Sequence, residues 1–315
     1  MASPQVTVMG IFAADLSFRT GRLPAWGETV IGSEFRLGPG GKGSNQAIAA
    51  ARLGSTVRFV SKVGADPFGE LAQRIHREAG VKLDFLFTTP DHATGAAAII
   101  VDQASGENAI VVTPGAANAL TFEDIERARK PIAESGCFMT QLELSLPLVE
   151  HGLRLARSLG VPTILNPAPA CECSDAFLEL CDYVTPNESE ASALTGLPVD
   201  TMLQIERAAT ALLGRGARHA VITLGARGAF VLGPDVAEHI EAYQAGPVVD
   251  TTGAGDAFNG GFAVGLAEGM SLIEAARFGC AAAGLSVTRP GTAMSMPTRA
   301  EVDHLYRGVD GANGG

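Results

Sequence analysis

The segment 250–261 (DTTGAGDAFNGG) places two carboxylates, Asp250 and Asp256, on either side of a Gly-Ala-Gly turn, and a helical pattern begins there. Glycine lets the backbone turn tightly and lets a ligand approach the peptide N–H groups. The start of a helix offers unpaired N–H groups and a positive dipole end, so phosphate is favoured there. A carboxylate beside phosphate is repelled unless it takes part in the chemistry. Asp256 is therefore predicted to be a general base beside a transferring phosphoryl group; the alternative is an aspartate that only supports the helix start.

A second glycine-rich segment, 38–46 (GPGGKGSNQ), precedes an alanine-rich helical pattern. It matches the dinucleotide-binding pattern G-x-G-x-x-G, but it follows a second strand-like segment, whereas that fingerprint belongs after the first strand of a βαβ unit. It also departs from a phosphate-binding P-loop, because Lys42 is followed by Gly43 instead of Ser or Thr. Two interpretations remain: a turn that brings Lys42 and Asn45 to a polar small molecule, or a plain turn before a helix.

Apolar segments rich in β-branched residues alternate with Ala/Leu-rich helical patterns through most of the chain. The predicted strands are 6–10, 57–61, 136–140, 162–165, 183–185 and 219–223. The predicted helices are 43–53, 67–79, 146–159, 201–213, 255–268 and 272–287. This alternation predicts an α/β fold in one domain spanning 1–315, with a mostly parallel sheet covered by helices on both faces. Ligands of such sheets bind beyond the carboxyl ends of the strands.

Strand patterns without intervening helices occur at 28–37 and at the pair 95–102 and 109–113, which the turn-like sequence QASGEN joins. They predict a small, mainly antiparallel sheet that projects from the main domain. We expect this sheet to act as a lid; its predicted parts are about 13–38 and 88–115. The glycine-rich tail 308–315 is expected to be unstructured.

The composition excludes several classes of protein. The chain has 315 residues and a formal net charge of −11 with no Lys/Arg-rich block, so no nucleic-acid partner is expected. No apolar run of about 18 residues is present, so no membrane span is expected. The amino terminus lacks the basic-then-apolar pattern of a signal peptide, and the five cysteines lack metal-ligand spacing. Reduced thiols and a cytoplasmic location are therefore predicted.

Together, the two glycine-rich segments resemble the signatures of the ribokinase-like (PfkB) family of sugar kinases. The segment 40–54 is similar to the family's amino-terminal signature and 250–262 to its carboxyl-terminal signature, in the correct order. Between them, TPNESE at 185–190 resembles the N-x-x-E motif, and TLGARG at 223–228 resembles the T-x-G-x-x-G nucleotide loop. The resemblance implies a three-layer α/β/α fold with a mostly parallel central sheet and a small β-sheet lid.

Two further segments, QLE at 141–143 and NPAPA at 166–170, resemble the ribokinases within this family. The ribokinases usually carry Asn two residues before the aspartate that corresponds to Asp15, where this chain has Ala13. Because alanine makes no side-chain hydrogen bond, one sugar hydroxyl is expected to be recognised differently here.

The resemblance assigns roles to individual residues. Asp256 matches the family's catalytic base, and Gly253, Ala254 and Gly255 match the anion hole that receives the γ-phosphate. The matching sugar-binding residues, besides Asp256, are Asp15, Gly41, Lys42, Asn45 and Glu143.

The resemblance also implies ATP, Mg²⁺ and a monovalent cation, usually K⁺, as cofactors. Asn187 and Glu190 match the residues that orient Mg²⁺ through its waters, although the residues alone favour a solvated helix start. The matching ATP-binding residues are Asn187, Thr223, Gly225, Gly228, Gly255 and Cys280. The matching K⁺ site consists of Asp250, Thr252, Val287, Pro290, Thr292 and Ser295.

The resemblance therefore implies an ATP-dependent kinase that phosphorylates a primary hydroxyl of a small sugar, with ribose as the first expectation. A fructose-type or other pentose kinase is the alternative within the family. A dinucleotide-dependent oxidoreductase and a catalytically silent sugar sensor are the alternatives from other classes. A homodimer formed through the lid sheets is also expected, because exposed sheet edges need cover.

Overall fold

The computed structural model describes residues 4–310, with side chains through residue 307. Its strands are β1 (Gln5–Met9), β2 (Ala13–Thr20), β3 (Glu34–Gly40), β4 (Thr56–Gly64), β5 (Leu86–Thr89), β6 (Thr94–Asp102), β7 (Asn108–Gly115), β8 (Cys137–Gln141), β9 (Thr163–Asn166), β10 (Tyr183–Val184), β11 (His219–Thr223), β12 (Ala229–Gly233) and β13 (Val236–Ile240). Its helices are α1 (Lys42–Arg52), α2 (Pro67–Glu78), α3 (Phe122–Arg127), α4 (Arg129–Ala133), α5 (Leu146–Ser158), α6 (Asp175–Leu178), α7 (Glu188–Thr195), α8 (Met202–Gly214), α9 (Ala254–Ala267), α10 (Leu272–Ser286) and α11 (Arg299–Asp310).

The central sheet has nine strands in the order β13-β12-β11-β10-β9-β8-β1-β4-β5. Every neighbouring pair from β11 to β5 is parallel, and β12 and β13 add an antiparallel edge. The six strands predicted as parallel lie side by side in this sheet, so that prediction is confirmed. Their carboxyl ends share one edge of the sheet, which is where ligand-binding groups belong.

Helices cover both faces of the central sheet, because successive strand residues point to opposite sides. On β8, for example, Cys137 and Met139 belong to one apolar cluster and Phe138 to the other. The first cluster packs α1, α2, α9 and α10 against the sheet, and the second packs α3, α5 and α8. The predicted three-layer α/β/α architecture is confirmed.

A separate four-stranded sheet has the order β3-β2-β6-β7, and we call it the lid sheet. Only the β2–β6 pair is parallel, so the predicted small and mainly antiparallel sheet is present. The predicted strand at 28–37 is wrong at 28–33, because residues 21–33 form an irregular loop; only 34–37 of it belong to a strand, β3. In this loop Gly27 has φ +80°, which a strand does not adopt, and Ile31 is 88% exposed. The apolar residues of the loop therefore do not pack against a sheet as strand residues would.

Several elements were not predicted. They include β2, β5 and the β12–β13 hairpin, whose Gly-Pro-Asp turn is a recognisable signal. The last helix extends to Asp310, so the tail predicted as unstructured is helical at 308–310, and 311–315 lie outside the described residues. Within residues 4–310, no helix has the length and apolar character needed to cross a bilayer.

Candidate active site

Asp256 is the third residue of α9, and its side chain is buried, with 7% exposure. Asn45 Nδ2 donates to its Oδ2 (2.9 Å) and Gln46 Nε2 donates to its Oδ1 (3.0 Å). The residue before the helix is Gly253, with φ +79°, and no side chain caps the helix start. Asp256 is therefore not an N-cap; it lies in the first turn of α9, and its carboxylate is bonded to α1.

Burial raises the pKa of Asp256, while the nearby Lys42 ammonium and the hydrogen bonds from Asn45 and Gln46 oppose this rise. The net pKa lies above the usual value for aspartate. A base whose pKa is moved towards neutrality takes up and releases a proton more readily at physiological pH. The electrostatics of the site thus agree with the role predicted for Asp256.

The small residue Gly260 lets α1 and α9 approach closely enough for these hydrogen bonds. A Cβ at position 260 would lie 2.5 Å from Ala49 Cβ and 3.2 Å from the carbonyl oxygen of Gln46. A Cβ contact of 2.5 Å essentially does not occur in folded proteins, so any side chain there would push α1 away. Asn45 and Gln46 would then lose their reach to Asp256.

The predicted anion hole lies at the start of α9. The N–H of Ala254 donates to the carbonyl oxygen of Thr251 (3.2 Å), so one of the three expected donors already has a protein acceptor. The N–H of Gly255 has no acceptor within residues 4–310, and a Cβ at this position would meet nothing within 4 Å. Gly255 therefore offers an unpaired N–H donor at a residue that lines the cavity described below.

Asp15 lies on β2, and no described side chain donates a hydrogen bond to its carboxylate. A Cβ on the neighbouring Gly40 would overlap this carboxylate, so glycine leaves room for it. Burial, and then the charge of Asp256, raise the pKa of Asp15 to about 6. A carboxylate that lacks partners inside the protein is suited to accept hydrogen bonds from sugar hydroxyls.

Glu143 accepts a hydrogen bond from the N–H of Lys42 (2.7 Å). Burial raises its pKa to about 7, although Lys42 opposes the rise. For Lys42 itself, burial lowers the pKa, but the carboxylates of Asp256, Glu143 and Glu190 outweigh burial and raise it. The partly buried Lys42 ammonium thus lies among several carboxylates.

Two further sugar-site residues adjoin this cation. Gly41 precedes α1 with φ +87°, and a Cβ there would lie 2.6 Å from the carbonyl oxygen of Ile11, so only glycine fits. Asn45 Oδ1 is buried and has no hydrogen-bond partner. A buried polar atom without a hydrogen-bond partner is costly unless a ligand supplies one. With the contacts described above, the predicted sugar-binding residues form one polar cluster.

Glu143→Gln is expected to stabilise the ligand-free protein at about pH 8 and to change its stability little at about pH 5. The folded-state pKa of about 7 exceeds the ordinary value of 4.5. Between these values the folded state keeps a proton that the unfolded chain releases, so stability falls as the pH rises through this window. Gln has no charge to bury, and its gain at the higher pH should be about 1–3 kcal/mol.

Urea unfolding of the wild type and the variant at both pH values measures this difference. Glu172→Gln, which changes an exposed glutamate, is the matched control. The same stability gain at both pH values would contradict the assignment of a raised pKa to Glu143.

A cavity of about 590 Å³ adjoins the start of α9, where Ala254 and Gly255 line it. All the residues predicted to bind ATP line it: Asn187, Thr223, Gly225, Gly228, Gly255 and Cys280. The structure therefore brings together residues that are up to 93 positions apart in the sequence, Asn187 and Cys280 being the extremes (280 − 187). Sequence reasoning missed the segment 242–246, which also lines the cavity and carried no recognised motif.

The loop after β11 shapes one wall of this cavity. Thr223 N donates to the carbonyl oxygen of Pro186, and Leu224 N donates to that of Gly228, at 2.9 and 2.8 Å. Gly225 and Gly228 both have positive φ, +55° and +89°, so this turn requires glycine at both positions. Such a turn brings backbone groups close to a ligand.

Asn187 and Glu190 bind each other at the start of α7. Asn187 Oδ1 accepts from Glu190 N (2.8 Å), and the Glu190 carboxylate accepts from Asn187 N and Asn187 Nδ2 (2.9 Å each). This is a reciprocal capping box, so the simpler interpretation of the pair as a helix start describes their geometry. Burial raises the pKa of Glu190.

The residues predicted to bind K⁺ lie in two adjoining loops. Asp250 Oδ1 accepts from Thr252 N and its Oδ2 accepts from Gly291 N, both at 2.9 Å. The carbonyl oxygen of Val287 accepts from the N–H groups of Val249 and Asp250 (2.8 and 3.2 Å). Pro290 precedes Gly291 in the same loop, and Thr292 and Ser295 follow, with Ser295 Oγ donating to Thr292 O (2.7 Å). Asp250 thus joins the turn before α9 to this loop.

Comparison with known proteins identifies the family. A sequence model of the pfkB family of carbohydrate kinases matches residues 3–299. The chain belongs to this family. It is similar to a ribokinase of Haemophilus influenzae, with 40% identity over 94% of this chain and 96% of that protein. It is also similar to a deoxyribokinase of Salmonella typhi, with 36% identity over 93% of this chain and 95% of that protein.

A solved structure of a pfkB relative supports the same conclusion. The structure of Arabidopsis thaliana ribokinase complexed with ribose and ATP has a TM-score of 0.90 and 33% identity, covering 98% of this chain and 99% of that chain. The chain is therefore an ATP-dependent sugar kinase. The dinucleotide-dependent oxidoreductase is wrong, and the structure gives the reason: Gly38 and Gly40 lie in a lid strand, not after the first strand of a βαβ unit.

Proposed function

We propose that this kinase transfers the γ-phosphoryl group of ATP to O5 of ribose. The observation that carries the proposal is the placement of Asp256. Its carboxylate accepts from Asn45 and lies near the charges of Asp15 and Glu143, and Asp256 directly follows Gly255, which lines the cavity. The similarity to ribokinases supports ribose as the sugar.

In the proposed reaction, Asp256 accepts the proton of the O5 hydroxyl. O5 forms a bond to the γ-phosphorus as the bond from that phosphorus to the β–γ bridging oxygen breaks, which yields ribose 5-phosphate and ADP. The N–H of Gly255 would donate to the transferred group as its charge develops, and the Lys42 ammonium would stabilise that charge. Asp15, Asn45 Oδ1 and Glu143 would accept hydrogen bonds from the remaining sugar hydroxyls.

A panel of sugars tests this function. The protein is mixed with ATP, Mg²⁺ and ribose, 2-deoxyribose, fructose or a nucleoside, with and without K⁺, and ADP release is measured. We expect ribose to have the highest kcat/KM. Absence of ADP release with every sugar would instead favour a catalytically silent sugar sensor.

A 2-deoxyribose kinase is the second candidate, and Ala13 favours it. Ala13 is 1% exposed and lies on the same face of β2 as Asp15, two residues away, with Gly40 and Gly95 as its neighbours on the adjacent strands. No side-chain hydrogen bond to a sugar hydroxyl is available from alanine. The similarity to a deoxyribokinase supports the same candidate.

Ala13→Asn is expected to raise the ratio of kcat/KM for ribose to kcat/KM for 2-deoxyribose by about tenfold, which corresponds to one added hydrogen bond. Steady-state kinetics with both sugars measure the ratio. Ala13→Leu, which adds a similar volume without a polar group, is the matched control and should lower both values together. An unchanged ratio in Ala13→Asn would mean that position 13 does not contact the hydroxyl that distinguishes the two sugars.

We propose Mg²⁺ and K⁺ as the metal ions of this enzyme. The donor chemistry at both sites fits. Glu190 supplies a carboxylate near Lys42 and is bonded to Asn187, which lines the cavity, and Asp250 and the loop 287–295 supply carboxylate and carbonyl oxygens. Bound Mg²⁺ would neutralise phosphate charge during transfer. Asn187 and Glu190 would hold its waters, and Asp250, Thr252, Val287, Pro290, Thr292 and Ser295 would surround K⁺.

The lid sheet supports two further proposals. It carries Asp15, so its closure over the sugar would exclude water from the phosphoryl group. One of its faces exposes apolar side chains: Phe18 (41%), Phe35 (55%), Leu37 (48%) and Val111 (71%). A homodimer formed through the lid sheets would cover this face. A cytoplasmic location remains a prediction from the cysteines.

A further inference from the structure

Gln46 lies at the centre of a buried network of amide side chains that the catalytic roles above do not use. Its Nε2 donates to Asp256 Oδ1 and to Asn166 Oδ1, each at 3.0 Å. Its Oε1 accepts from Gln141 Nε2 at 2.6 Å. Gln46 is fully buried, and Gln141 and Asn166 are 1% and 7% exposed. Both N–H groups of the Gln46 amide and one lone pair of its Oε1 therefore take part in hydrogen bonds, and only the second Oε1 lone pair is left.

A main-chain carbonyl fixes the direction of this network. Asn166 Nδ2 donates to the carbonyl oxygen of Thr185 at 3.0 Å, and a carbonyl oxygen can only accept. Asn166 must therefore present Oδ1 to Gln46, and Gln46 must present Nε2 to Asn166. The same NH₂ group faces Asp256, so Gln46 cannot turn its oxygen to the carboxylate without breaking its bonds to Asn166 and Gln141.

We propose that Gln46 is a positioning residue that fixes the direction of the Asp256 carboxylate and keeps it ionised for the next turnover. The inference rests on the proposed role of Asp256 as the base. Asn45 and Gln46 are consecutive residues of α1, and each donates to a different oxygen of Asp256. A proton on the carboxylate oxygen in either of these hydrogen-bond directions would face an N–H donor, so the amides favour the charged form.

Asn45 and Gln46 differ in the groups that they contact besides Asp256. Asn45 keeps an unpaired Oδ1 at the polar cluster, so its replacement would affect sugar binding as well as the base. Gln46 is directed away from the polar cluster towards Asn166 and Gln141, so its replacement should affect the base alone. This difference makes Gln46 the better test of positioning.

The experiment compares the pH dependence of kcat for the wild type with that of Gln46→Glu and Gln46→Met, using the sugar that the wild type phosphorylates fastest. Both variants keep the length of the side chain and remove the Nε2 donor. We expect kcat to fall about 10- to 100-fold with KM for the sugar within about threefold of the wild type, since a transition-state contribution is lost. The acidic limb of the profile is the fall in kcat at low pH as Asp256 takes up a proton. It should move to higher pH by at least about one unit in Gln46→Glu, where two carboxyl groups meet, and by less in Gln46→Met.

Thr163→Val is the matched control. Thr163 is fully buried on β9, the strand that carries Asn166, and its Oγ1 bonds Leu180 O and Asp182 at 2.7 and 3.1 Å. This variant loses buried hydrogen bonds at the far end of the strand, so it should unfold more easily and keep the wild-type acidic limb. Thermal unfolding of all variants relates any loss of activity to loss of stability.

The proposal is overturned if both Gln46 variants keep the wild-type acidic limb, or if their only change is the loss of stability that Thr163→Val also shows. It is equally overturned if KM for the sugar rises in proportion to the fall in kcat, because Gln46 would then act on binding. These outcomes are distinct from a failure of the proposed function, in which the wild type itself would phosphorylate none of the sugars.

Discussion

Asp256→Asn lowers kcat by about 10³-fold and changes the affinity for the sugar by less than about threefold, because the variant loses the proton acceptor and keeps the shape of the site. Asparagine has one acceptor oxygen where the carboxylate has two. It can satisfy Asn45 Nδ2 or Gln46 Nε2, but not both. Steady-state kinetics give kcat, and calorimetry without ATP gives the sugar affinity.

Asp15→Asn is the control for this prediction. Asp15 lies near Asp256, is partly buried and also has a raised pKa, but we place it at the sugar and not at the transferred proton. Its variant should raise KM for the sugar by more than it lowers kcat. Turnover by Asp256→Asn within about tenfold of the wild type would show that another group accepts the proton.

Gly255→Ala should lower kcat by about 10²-fold while making the protein slightly more stable. Gly255 lies in the first turn of α9 without a positive φ, and a Cβ there meets nothing within 4 Å. Alanine is the better helix former by about 1 kcal/mol, so the fold tolerates the change. The new methyl group would occupy space next to the unpaired N–H that we assign to the transferred phosphoryl group.

Gly214→Ala is the matched control. Gly214 ends α8, and a Cβ there also meets nothing within 4 Å, but it does not line the cavity. It should gain stability without losing activity. Thermal unfolding and ADP release separate the two effects, and equal activity of both variants would place phosphoryl transfer elsewhere.

The central sheet could be predicted from the sequence because its strands are buried on both faces. Such strands appear as continuous apolar runs, and β8, for example, is buried at all five residues. The lid sheet was harder to predict, because its strands have one exposed face and its apolar residues continue into loops. Ile31 and Trp26 extend an apolar pattern through 21–33, where no strand forms.

The proposed sugar-binding and ATP-binding parts of the site were predictable for a different reason. Glycines with positive φ, such as Gly41, Gly228 and Gly253, mark the turns that hold the ligand-binding groups, and their spacing makes up the motifs. The amide network of Gln46 and Asn166 carries no such mark. These residues lie 120 positions apart and meet only when α1 packs beside α9 and the end of β9, a contact that no local pattern shows.

Gly260 has one more consequence. Because Gly260 lets α1 pack closely against α9, Asp256 and the two amides that donate to it, Asn45 and Gln46, are held in one arrangement. Folding sets this arrangement before the substrate binds. This preorganisation lowers the reorganisation energy of proton transfer, since the surrounding dipoles need not rotate as charge moves. A bulkier residue at 260 would slow catalysis from a distance, although it would touch none of the reacting atoms.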